Sequence, residues 1–314
     1  MAGAFLTAGL GLVILLLAGD VLVRGAVNLS LRLGIPALIV SLTVVAFGTS
    51  APELLISIQS VLDGVPGLAL GNVVGSNTAN VLLVLGIPAL ISSIDAPASD
   101  TRKSYLFMMA GSVLFVALAA TGAFTLWQGL VLLAALALIL RDQFREAMAH
   151  DPDDEEPPEG ADPTMPWWKI GTYVMLGLVG LPVGASLLVD SSILIARTYG
   201  VSETVIGLTL VAVGTSLPEL ATTVMAGIRR HAEVAIGNVI GSNIFNLLAI
   251  IGLTAVIGPV PVGASFFRLD FWIMLAAAAA LAPFVFWKMR MGRRVGLLFV
   301  ALYVLYVAAI LIWD

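Results

Sequence analysis

The chain has no cysteine and only two histidines, His150 and His231. Disulfides are therefore excluded, and thiolate or imidazole metal sites have almost no ligands to draw on. Charge is also scarce. Only 11% of the 314 residues are Asp, Glu, Lys or Arg, while 60% are hydrophobic, against about 25% charged in ordinary soluble domains. An intramembrane hydrolase needs a nucleophile with a base, or a ligated metal. Here both histidines fall in connections, and no intramembrane Lys accompanies a Ser. No nucleic-acid partner and no prosthetic group are expected. No basic segment precedes the first apolar run, which is expected to be a retained span and not a cleaved signal. What remains is a series of apolar runs of roughly 20 residues, each long enough to cross about 30 Å of hydrocarbon. The chain reads as an all-α, polytopic membrane protein.

Ten spans are expected. The first five run from Ala4 to Ser30, Pro36 to Leu62, Leu68 to Ser92, Ser104 to Ala123 and Leu126 to Ala147. An acidic, proline-rich connection follows, and the last five cover Trp167 to Ala196, Glu203 to Ile228, Val234 to Ile257, Phe271 to Trp287 and Val295 to Ile312. With ten spans, thirteen of the fifteen basic residues fall on one side, leaving only Arg197 and Arg268 on the other. The rule that Lys and Arg stay inside then makes the first side cytoplasmic and puts both termini outside. A prokaryotic inner membrane is the expected location.

One stretch organises the rest. Gly48-Thr49-Ser50-Ala51-Pro52-Glu53 is followed by Gly71-Asn72-Val73-Val74-Gly75-Ser76-Asn77, ending at Asn80. It returns as Gly214-Thr215-Ser216-Leu217-Pro218-Glu219 and Gly237-Asn238-Val239-Ile240-Gly241-Ser242-Asn243, ending at Asn246. Glu53 to Glu219, Gly71 to Gly237 and Asn80 to Asn246 are all 166 residues apart. Gly34, Gly86 and Arg102 match Gly200, Gly252 and Arg268 at the same offset. The expected units are therefore residues 1–150, an acidic cytoplasmic linker 151–166, and residues 167–314, with duplicated motif regions at 36–90 and 202–256. Five spans are an odd number of crossings, so the second copy enters the membrane inverted. Inverted repeats are a transporter architecture, with the substrate held where the repeats meet.

The motif residues carry oxygen chemistry. Pro52 and Pro218 have no amide hydrogen and crowd the carbonyls of Gly48 and Gly214, so each helix is expected to open there. Opened backbone at membrane depth is tolerated only inside protein or beside a cavity. Thr49 and Glu53 are four residues apart and share a helix face, as do Ser76 and Asn80, Thr215 and Glu219, and Ser242 and Asn246. Carboxylate, amide, hydroxyl and carbonyl oxygens together suit a hard cation such as calcium. An ionisable residue within a span is costly and marks a functional site by default.

These paired motifs resemble the two alpha-repeats of the cation/calcium antiporter superfamily, and within it the prokaryotic sodium/calcium exchangers. The resemblance implies an antiporter that binds three sodium ions or one calcium ion at a shared cluster. Its ligands would be Glu53 and Glu219 at the centre, with Asn80, Asn246, Ser76, Ser242, Thr49, Thr215, Ser50 and Ser216 around them, and the carbonyls of Ala46 and Ala212. It also implies that spans one and six slide across the other eight. Some members carry Asp where this chain has Asn246, so the formal charge here rests on two carboxylates. Exchange of three sodium ions for one calcium would then move one charge and expel calcium. A proton- or potassium-coupled antiporter and a cation channel are the alternatives. Channels more often assemble identical rings around an oligomeric axis, whereas one chain here supplies both halves of a site, as a monomeric unit would.

The remaining features have plainer readings. Asp20 and Arg24 are spaced for a local ion pair. Gly71, Gly75, Gly237 and Gly241 have the spacing that lets helices approach closely, which also suits lining a site. The acidic run from Asp151 to Asp162 lacks the spacing of a calcium-binding loop and reads as a solvated linker. The six tryptophans lie near span ends, as interfacial anchors do.

Overall fold

A computed structural model of the chain describes residues 2–94, 101–149, 162–200 and 212–313. Most of these residues are helical. Seven helices are long and apolar enough to cross a membrane, and an eighth span is formed if the bent pair Ala37–Thr49 and Ala51–Leu62 counts as one. Shorter apolar helices occupy Leu217–Ile228 and Asp270–Phe286. The expected seventh span begins among residues outside the described set. In the ninth, the helix is interrupted between Asp270–Ala279 and Ala282–Phe286. The all-helical expectation meets one small departure. Ala123–Phe124 and Val260–Pro261 form a two-residue antiparallel ribbon, Ala123 opposite Pro261, where short connections run side by side and satisfy each other's backbone.

Burial divides the helices sharply. The hydrophobic stretches Pro66–Ile91 and Ala232–Ile257 are about four-fifths buried, whereas Trp167–Thr198 is only about one-fifth buried. An apolar helix that is open to its surroundings fits a lipid-facing position. The two long helices Ala2–Leu33 and Trp167–Thr198 lie against each other through glycine. A Cβ on Gly177 would sit 2.4 Å from the Leu22 Cβ, and one on Gly11 would sit 2.6 Å from the Leu188 backbone nitrogen. These contacts are copies of each other at the 166-residue offset. Without an aqueous hydrophobic effect between helices in lipid, such close backbone approach is a main source of attraction.

The connections group as the charge pattern requires. Ile94 and Met291 exchange backbone hydrogen bonds of 2.9 Å. The Ser92 hydroxyl donates to the Gly227 carbonyl at 2.8 Å. The Asp162 amide donates to Asn28 Oδ1 at 2.8 Å, tying the end of the acidic connection to the first helix. Thr164 donates to Asp162 Oδ1 through both its amide (2.9 Å) and its hydroxyl (2.6 Å), which holds that exposed carboxyl below its usual range. The ribbon joins connections assigned to the opposite side. Asp20 pairs with Arg24 at 3.0 Å, as the spacing suggests, and it also takes Arg229 from the second half, a partner that local spacing gave no sign of. Trp127, Trp167, Trp168, Trp272 and Trp287 are exposed, as anchors need to be.

The glycine contact generates a test. Gly177→Leu should force the two long helices apart and lower the melting temperature of the detergent-solubilised protein by several degrees. Gly171→Leu, where a Cβ meets nothing within 4 Å, should leave it unchanged. Equal melting of the two variants would show that this close approach adds nothing to stability.

Candidate functional site

Both prolines break their helices as expected. The first helix stops at Thr49 and restarts at Ala51 with a 43° bend. The second stops at Gly214 and restarts at Leu217. The hinge residues have nearly the same backbone angles, Ser50 at φ −84°, ψ 3° and Ser216 at φ −89°, ψ 6°. Each break places a new helix N-terminus inside the bundle, with Glu53 or Glu219 in its first turn. The positive end of the helix dipole favours a carboxylate there.

The freed carbonyls are less open than the proline argument implies. The Ala46 carbonyl accepts the Ser50 amide at 3.0 Å and the Thr49 hydroxyl at 3.3 Å. The second copy differs, because the Ser216 amide goes to Val213 at 3.1 Å. Ala212 stands one residue before it, and its side chain is outside the described set.

Around the breaks the two halves interlock. Ser50 Oγ donates to Glu219 Oε1 at 3.2 Å, so the first half's hinge touches the second half's carboxylate. Thr49 Oγ1 lies 3.5 Å from Ser242 Oγ and 3.3 Å from Asn238 Oδ1. Thr215 Oγ1 reaches Asn72 Oδ1 at 3.4 Å. Asn80 Nδ2 donates to Asn243 Oδ1 at 3.1 Å. Thr49, Ser50, Ser76, Asn80, Ser216, Ser242 and Asn246 are all buried, and Glu53 and Glu219 are 0% exposed. Thr215 is half-buried. No hydrogen bond among the described residues ties the side chains of Ser76 or Asn246 to the Thr49–Glu219 cluster.

Several of these buried oxygens have no hydrogen-bond partner: both carboxylate oxygens of Glu53, Oε2 of Glu219, Oδ1 of Asn80, Oδ1 of Asn246 and Oγ of Ser216. Buried polar groups are rarely left so, and each exception needs a cause. Here the exceptions gather at the motif residues. Among the described residues no three His, Cys, Asp or Glu side chains come together. A cation held here would therefore be bound by two carboxylates and by neutral oxygens, which suits sodium or calcium and not a soft metal.

Two features leave little trace in the residues. Asn72, Asn77, Asn238 and Asn243 belong to the duplicated motif and all join or adjoin the site, yet the motif alone names no partner for them. Their one signal is a polar amide repeated at the 166-residue offset within apolar helix. The buried helices also widen into π-helix at Asn80–Val84 and Phe245–Ile250, starting at or next to the candidate amides, and again at Ser41–Val45. Such widenings often mark functional sites, and no residue pattern announced them.

The chain is similar to known proteins over nearly its whole length. The family profile described as sodium/calcium exchanger protein matches residues 3–144 and again 170–312. A putative antiporter, CaxA, of Alkalimonas amylolytica is 34% identical over 286 residues, covering 90% of this chain and 89% of that protein. The inner membrane protein YrbG of Escherichia coli (strain K12) is 33% identical over 311 residues, covering 95% and 94%. A structure of the sodium-calcium exchanger NCX_Mj, soaked with sodium and strontium, superposes with a TM-score of 0.84 at 30% identity, covering 97% of each chain.

The partnerless Glu53 carboxylate leads to a stability test. In ion-free detergent at pH 8, Glu53→Gln should melt at or above the parent, because an amide replaces an uncompensated buried charge. Calcium at about 100 times its dissociation constant should stabilise the parent by about 2.7 kcal/mol and the variant hardly at all. A variant that still responds fully to calcium would remove Glu53 from the site.

Proposed function

This chain belongs to the sodium/calcium exchanger protein family, and from that premise we propose that it is a secondary antiporter exchanging three sodium ions for one calcium ion, expelling calcium. The observation that carries this reading is the convergence of Glu53 and Glu219, from opposite halves, among buried oxygens without partners. Glu53 and Glu219 neutralise calcium. Thr49, Ser50, Ser76 and Asn80, with their counterparts Thr215, Ser216, Ser242 and Asn246, replace its hydration shell, assisted by the carbonyls of Ala46 and Ala212. Ten spans in two inverted five-helix units, residues 1–150 and 167–314 joined by the linker 151–166, supply the frame. One chain carries both halves, so the monomer is the working unit.

On one side the site is closely packed. A Cβ on Gly241 would lie 2.5 Å from the Leu42 carbonyl oxygen and 2.6 Å from the Ala46 Cβ, and one on Gly237 would lie 2.9 Å from the Ser41 Cβ. In the proposed orientation, with both termini outside and the 151–166 linker cytoplasmic, that packed side faces the cytoplasm. Two inverted copies of one sequence can exchange their packings, which would expose the site to each side in turn.

Two experiments test this reading. In proteoliposomes, an outward calcium flux driven by sodium should accelerate when the inside is made negative, because one net charge per cycle across 100 mV is worth about 2.3 kcal/mol. Glu219→Gln should abolish the flux. Indifference to potential would rule out the three-to-one ratio, and an active Glu219→Gln would displace the site. In this cysteine-free chain, Asp63→Cys should react with an impermeant thiol reagent on intact cells, while Met289→Cys should be protected. The reverse pattern would invert the orientation.

A further inference from the structure

Beyond the residues that would touch the ion, we infer that Asn72 and Asn238 are positioning residues that turn the hydroxyl lone pairs of Thr215 and Thr49 toward the cation. The inference rests on the proposed site and deepens it. A hydroxyl has one proton and two lone pairs, and its rotation is free until a partner fixes it. If the proton points into the site, the group repels a cation. If the proton is drawn away, the oxygen becomes a ligand.

Asn238 is built to draw it away. Its Nδ2 donates to the Glu219 backbone carbonyl at 3.4 Å and to Thr223 Oγ1 at 3.1 Å. A carbonyl can only accept, so the amide is held with its nitrogen on that side and its Oδ1 on the other. Oδ1 then meets Thr49 Oγ1, from the opposite half, at 3.3 Å. An amide oxygen can also only accept, so the hydrogen bond takes the Thr49 proton. Two other acceptors are near that proton: the Ala46 carbonyl at 3.3 Å, on Thr49's own helix, and Ser242 Oγ at 3.5 Å. The Glu219 carboxylate, which takes a hydrogen bond from Ser50, is also in reach of the Thr49 hydroxyl, and the proposed task of Asn238 is to hold the proton against that competition so that the Thr49 lone pairs stay free for the cation.

The same three contacts recur in the other half. Asn72 Nδ2 donates to the Glu53 carbonyl at 3.5 Å and to Ser57 Oγ at 3.4 Å, and Asn72 Oδ1 receives the Thr215 hydroxyl at 3.4 Å. Individually these are long hydrogen bonds. The six contacts join four pairs of residues, the members of each pair 166 residues apart, which makes coincidence a poor account. Asn243 orients an amide in a related way. By accepting from Asn80 Nδ2 it leaves Asn80 Oδ1 as the buried end of that amide with no hydrogen-bond partner among the described residues. Each Asn also links the backbone of a site carboxylate to a threonine of the opposite half, so the two helix breaks are aligned through a shared amide.

A double-mutant cycle on calcium and sodium KM separates positioning from structural support. Asn238→Leu and Thr49→Val should each raise calcium KM by about threefold to tenfold, the scale of one ordinary hydrogen bond. The double variant should be no worse than the poorer single, because Asn238 acts through the Thr49 hydroxyl. Asn72→Leu and Thr215→Val give the same cycle in a half-buried setting, should the Asn238 variant not fold. Multiplying effects in the double variant would mean that Asn238 only supports the fold, and a wild-type KM for Asn238→Leu would overturn the inference outright. Glu219→Gln is the discriminating control. If it abolishes flux while the cycle is additive, the site stands and only the positioning role fails.

Discussion

Two carboxylates held out of water at the junction of the two halves set the terms for the rest of the structure. A charged side chain at the centre of a membrane costs roughly 3 kcal/mol even by the milder insertion scales, and two near each other cost more. Glu53 and Glu219 are nevertheless fully buried. Everything nearby answers that constraint. The helix breaks present N-terminal dipoles, Ser50 reaches across to Glu219, and the surrounding helices contribute amides and hydroxyls instead of aliphatic side chains. The compensation is incomplete, since several of these oxygens have no hydrogen-bond partner among the described residues.

That constraint also explains how burial is distributed. The helices holding Ser76, Asn80, Ser242 and Asn246 are the most buried of the apolar helices, because polar groups in hydrocarbon must be enclosed by protein. The long helices Ala2–Leu33 and Trp167–Thr198, apolar almost throughout, can stand at the periphery. Their attachment to each other is by close backbone contact at glycine, and to the remainder largely by apolar packing with Val40, Val45 and Ala221.

Much of this was legible in the residues. Proline four residues past a glycine announced both helix breaks, because a missing amide hydrogen is a local fact. The grouping of connections followed from the distribution of Lys and Arg, and the duplication followed from one constant offset. What stayed hidden depends on partners far away in the chain. Nothing near Asp20 names Arg229, and nothing near Asn238 names Thr49. The π-helical widenings at Asn80–Val84 and Phe245–Ile250 begin at or beside a single asparagine and carry no residue pattern of their own, so the packing of neighbouring helices and not local propensity decides them. The ribbon between Ala123–Phe124 and Val260–Pro261 is likewise an outcome of where the helices end. The Ala46 carbonyl, two residues before the one that Pro52 crowds, keeps its helical hydrogen bond from Ser50.

The two halves offer the same residue at five corresponding positions: threonine, serine, glutamate, serine and asparagine. If these are the ligands, as proposed, the site's chemistry is palindromic and has no intrinsic front or back. An ion arriving from either membrane face would then meet the same ligands in mirrored order, with no rectifier built into them. Under the proposed function the protein would run forward or backward as the ion gradients and membrane potential dictate, a reversible coupling device with its bias supplied entirely from outside.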